Sequence, residues 1–80
     1  MEAIIREIRQ HVEANRLSDA LDLLLANVSA SQQDEVRVLK RNLAGLEREK
    51  RIGAIDYREY TREAVKVAAG ILDMTGRLKQ

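Results

Sequence analysis

Apolar residues recur at intervals of three and four along nearly the whole chain, and no stretch alternates with period two between turns. The pattern predicts four helices and no strand. In the first, about residues 2–14, Ile4, Ile5, Ile8 and Val12 form one stripe. Asn15 and Arg16 break it, and Asn15 suits the left-handed conformation that ends helices. Ser18 reads as the N-cap of a second helix at about 19–28, with Asp19 favouring the positive end of its dipole. Ala20, Leu21, Leu24, Leu25 and Val28 share its apolar face, and Leu23 lies off that face.

The run Ser29-Ala30-Ser31-Gln32-Gln33 is low in hydrophobicity and predicts a loop, with Ser31 and Asp34 spaced as a capping box. Helix three, about 32–51, has a narrow seam of Val36, Leu39, Leu43 and Leu46 among charged positions. Gly53 is expected to close it as a left-handed C-cap. Asp56 and Glu59 then form a second capping box, with Ile55 and Tyr60 at the staple positions around it. Helix four, about 57–74, carries one stripe of Tyr60, Ala64, Val67, Ile71 and Met74 and another of Val65, Ala68, Ala69 and Leu72, with Gly76 as its stop. Such a wide apolar surface belongs to a helix that is central or partly covered by another chain. Short connections place consecutive helices side by side, so the fold class is all-α. The expected architecture is one domain, residues 1–80, built as a compact antiparallel bundle of two helical hairpins. The expected core is Ile4, Ile8, Val12, Leu21, Leu24, Leu25, Leu39, Leu43, Leu46, Ile55, Tyr60, Val67 and Ile71.

Composition narrows the function classes. With no cysteine there is no disulfide framework, thiolate zinc site or thiol nucleophile. No segment approaches the roughly 18 apolar residues of a membrane span, and the N-terminus lacks a secretory core, so the expected location is cytoplasmic. Residues 1–40 hold five basic and seven acidic side chains and residues 41–80 hold nine and six, a division that favours directional association.

Chemistry is sparse. His11 is the sole histidine and reads as a surface residue, because a metal site or general base needs several converging groups. Ser18, Ser29 and Ser31 sit at caps or in the loop without a base beside them. Gly45, Gly53, Gly70 and Gly76 are too scattered for a phosphate loop. No catalytic, cofactor-binding or metal-ligating residue is expected, and the chain does not read as an enzyme. The basic residues of helix three are interrupted by Glu47 and Glu49, and a net charge of +1 lacks the excess of a nucleic-acid binder.

Three stretches in this order and spacing resemble a known family. They are NRLSDALDLLL, then LKRNLAGLEREKRIGAIDYREY with Leu39, Arg41, Asn42, Leu46, Glu47, Gly53, Ile55 and Tyr60, then the helix-four tail with Val67 and Leu72. Together they are similar to the effector-associated domains of bacterial conflict and antiphage systems, specifically the eleventh class, over about residues 4–74. The sequence departs from that pattern at Val65, where the family often has a polar residue, and at Gly70, where it often has a larger one. The resemblance implies a non-catalytic, death-domain-like adaptor whose partners carry like domains, a homo-oligomer being one form of this. Two rival readings are a tetratricopeptide-like hairpin that binds a peptide and a small helical nucleic-acid-binding domain. The hairpin reading lacks a second copy at a 34-residue period.

The charge division and the apolar positions left over supply the candidate interaction residues. Asp19 and Asp22 at the start of helix two face, in this reading, Arg37, Arg41 and Arg48 of helix three in another copy. Leu23, Val65 and Leu72 are the candidate apolar patch.

Overall fold

A computed structural model describes residues 2–78 of the chain. It contains α1 (Glu2–Glu13), α2 (Leu17–Asn27), α3 (Ala30–Arg51) and α4 (Tyr57–Arg77), with no strand among the described residues. The fold is the all-helical bundle that the apolar period demands. Its extents are 39 × 24 × 15 Å, and the thinnest is what two helix layers require at a spacing of about 8–10 Å. α2 and α4 each pack on all three other helices, and α4 returns to pack on α1. That return closes the bundle, whereas units of a solenoid touch only their neighbours in sequence.

The core follows from this arrangement. Ile8, Ala20, Leu21, Leu24, Val36 and Ile71 are completely buried, joined by Ile5, Leu17, Leu43, Val67 and Met74. Of the expected core, Ile4, Val12, Leu25, Leu39, Leu46, Ile55 and Tyr60 are only half-buried. Leu23, expected to lie off the packed face, is half-buried against the core, because a helix with neighbours on three sides buries more than one stripe.

Two turns are built alike. Asn15 has φ 60°, the Asn15 N–H donates to Val12 O at 3.0 Å and the Arg16 N–H to His11 O at 2.8 Å. Gly53 has φ 77°, its N–H donates to Lys50 O at 3.3 Å and the Ala54 N–H to Glu49 O at 2.8 Å. Both are Schellman closures, in which one left-handed residue lets two N–H groups cap the last carbonyls. After the second, Asp56 caps α4 by accepting the Glu59 N–H at 2.8 Å, as its spacing predicted.

Three helix boundaries differ from the sequence-based expectation. The first closure turns the chain so tightly that α2 starts at Leu17, which is buried, and Ser18 lies inside the helix; Arg16 holds the cap position without a side-chain bond. The Ser/Gln run is helical: only Val28 and Ser29 are extended, and α3 begins at Ala30. Alanine and glutamine are good helix formers, and low hydrophobicity does not by itself break a helix. Ser29, not Ser31, occupies that cap, and its hydroxyl pairs with Ser31 Oγ at 3.0 Å instead of with the backbone. Finally, α4 runs through Gly76 to Arg77. The buried Thr75 hydroxyl is satisfied by donating to Ile71 O at 2.6 Å. Arg77 secures this last turn by pairing with Asp73 and, across the bundle, with Glu35.

Candidate protein-interaction surface

The candidate residues sit on three helices, and the structure separates them. Asp22 is engaged within the chain: Lys40 Nζ lies 2.7 Å from Asp22 Oδ1 and ties α2 to α3. Asp19 faces Arg16 at 3.9 Å, and Arg37 is drawn to Asp34 at 3.4 Å. Arg41 and Arg48 are exposed and make no ion pair among the described residues. Two of the five named charges are therefore free to meet an outside partner.

The apolar candidates divide as well. Leu23 belongs to the packed interior, whereas Val65 and Leu72 are 61% and 43% exposed. A separation of seven residues puts Val65 and Leu72 on one outward stripe of α4, with Ala69 between them.

The remaining exposed large apolar residues, Val38, Ile52 and Tyr57, mark surface that the stripe analysis passed over. Val38 stands one residue before the seam position Leu39, and Ile52 is the single apolar residue between the basic run and Gly53. For Val38 and Ile52 the available signal is that they are out of phase with the core stripe, whereas Tyr57 is in phase with the stripe of α4 and is exposed at the first position of that helix.

Beside Val38 lies a groove of about 450 Å³ between α3 and α4, lined by Val38, Leu39, Gly70 and Met74 and rimmed by Asp34, Glu35, Asp73 and Arg77. Within its lining Gly70 and Leu39 pack tightly: a Cβ on Gly70 would lie 3.1 Å from Leu39 Cδ2. Arg77 is split between Asp73 at 2.8 Å and Glu35 at 3.2 Å. Hydrogen bonds to Asp73 first and Glu35 second raise its pKa above the ordinary arginine value. Since that pKa is raised, Arg77 stays charged throughout the neutral range, and the pairing is lost on the alkaline side only in strong alkali. The two carboxylates share one cation, so the rim keeps an excess of negative charge.

His11 is half-buried, and its Nδ1 accepts a bond from Arg16 Nε at 3.3 Å, which spans the first Schellman turn. Among the described residues no group of three metal-ligating side chains comes together, and no helix is long and apolar enough to cross a membrane.

These features define a small all-helical domain whose distinctive chemistry lies on its outer faces. The chain belongs to the family of effector-associated domain 11, whose model matches residues 3–79. No curated protein and no solved structure matches it.

Proposed function

We propose that this domain is a non-catalytic adaptor that couples an effector to a sensor in a bacterial conflict or antiphage system. It acts in the cytoplasm, by associating with like domains in the manner of death-like modules. The observation that carries this reading is the family match over residues 3–79. The surface supports it. Val38, Ile52, Tyr57, Val65 and Leu72 remain exposed in a domain small enough to need all the burial it can obtain. Arg41 and Arg48 add unpaired cations that set register and encounter rate more than affinity.

The test is a titration of the labelled chain with effector-associated domains encoded by neighbouring genes. Saturable binding that weakens with salt is expected. Binding to none of them, together with no self-association, contradicts the reading.

A further inference from the structure

We infer that the partner surface is a knob and a groove on the same chain, and that copies join head to tail through them; this rests on the proposed association with like domains. The groove is the α3–α4 cleft of Val38, Leu39, Gly70 and Met74, at the end of the hairpin where α3 begins and α4 finishes. The knob is Ile52, 72% exposed at the opposite end, where α3 finishes and the chain turns through Gly53.

The two are complementary in polarity and charge. The groove is apolar inside, and of its three rim carboxylates Asp34 is met by Arg37 while Glu35 and Asp73 share Arg77, which leaves one negative charge in surplus. Ile52 is flanked by Arg48 and Arg51, exposed and without an ion pair among the described residues. Lys50 is held over the Tyr60 ring at 4.4 Å, and Glu49 is the carboxylate in the same turn. A branched apolar side chain beside two free guanidiniums matches an apolar groove whose rim keeps a net negative charge. Because knob and groove lie at opposite ends of one hairpin, a copy that inserts its Ile52 leaves its own groove open. The contact is heterologous and repeats, so assembly grows with concentration instead of stopping at a closed dimer.

The test uses two variants of the full chain, Ile52→Glu and Val38→Glu, both at exposed positions, with helix content checked by circular dichroism. Sedimentation velocity should show wild type growing past the dimer and each variant alone weakened at least about tenfold, the effect of losing one central anchor. Mixed one to one, the variants should form a species of two chains and no larger, since the mixture holds one intact knob and one intact groove. Should either variant lose its helices, Arg51→Glu and Asp34→Arg make the same test through the charges, weak alone and restored in the mixture. A mixture that stays monomeric while wild type assembles overturns the inference, as does a wild type that stops at a dimer. A wild type that binds other like domains but never itself overturns it too, and leaves the proposed function standing.

Discussion

Gly70 and Leu39 meet so closely that a Cβ on Gly70 would come within 3.1 Å of Leu39 Cδ2. The missing side chain lets Leu39 of α3 pack directly on the backbone of α4. At Gly45, also in a helix, a Cβ would meet nothing within 4 Å. Replacing a helical glycine by alanine gains about 0.5–1 kcal/mol from backbone entropy. Gly45→Ala should therefore stabilise by about that amount. Gly70→Ala should stabilise by less, because Leu39 must shift. Urea unfolding of the two variants checks the order, and a larger gain at Gly70 would contradict the close contact.

Gly53 reverses that sign. Its φ of 77° is the left-handed region, where an L side chain costs about 1–2 kcal/mol. Gly53→Ala should destabilise by roughly that amount, and Gly53→Asn by less, since asparagine tolerates the conformation, as Asn15 does at φ 60°. The check is thermal unfolding, where about 1 kcal/mol moves the midpoint by about 4–8 °C in a domain of this size.

Core truncation should separate the two kinds of seam position in α3. Leu43 is buried and Leu46 only half-buried. Leu43→Ala should cost about 2–5 kcal/mol, enough to unfold much of so small a domain, and Leu46→Ala distinctly less. Equal losses at the two sites would mean that the seam is rotated from its assigned face.

The Asp22–Lys40 pair, 2.7 Å long and partly exposed, contributes modestly. A double-mutant cycle with Asp22→Asn and Lys40→Met should give a coupling of about 0.2–1 kcal/mol that shrinks with added salt. A salt-independent coupling of several kcal/mol would show the pair to be far less hydrated than its exposure indicates. The same pair limits Asp22 as an intermolecular contact, which leaves Arg41 and Arg48 as the more available of the expected charges.

Much of this fold is legible in the sequence, and the reasons are local. Asn15, Gly53 and Asp56 each act through their own backbone and nearest neighbours, so their roles could be read directly. The α2 and α3 starts could not, because serine is favoured at an N-cap wherever it falls, while the chain reversal is set by the Schellman turn in one case and by two extended residues in the other. The Thr75 turn was missed for a similar reason: Gly76 resembles a stop, but the pairing of Arg77 with Glu35 on α3 holds the helix beyond it. On the surface, Val65 and Leu72 were legible as a surplus stripe. Ile52 and the Gly70 groove were not, because a knob and a hollow are defined by what surrounds them in space.

A domain that works by associating with its own kind must change mass with concentration. Size-exclusion chromatography with light scattering, from micromolar to millimolar protein, tests it most directly. The mass should climb above the 9.1 kDa of one chain as concentration rises and fall back when salt is added. A mass of 9.1 kDa at every concentration, unchanged when effector-associated domains from neighbouring genes are added, would contradict it.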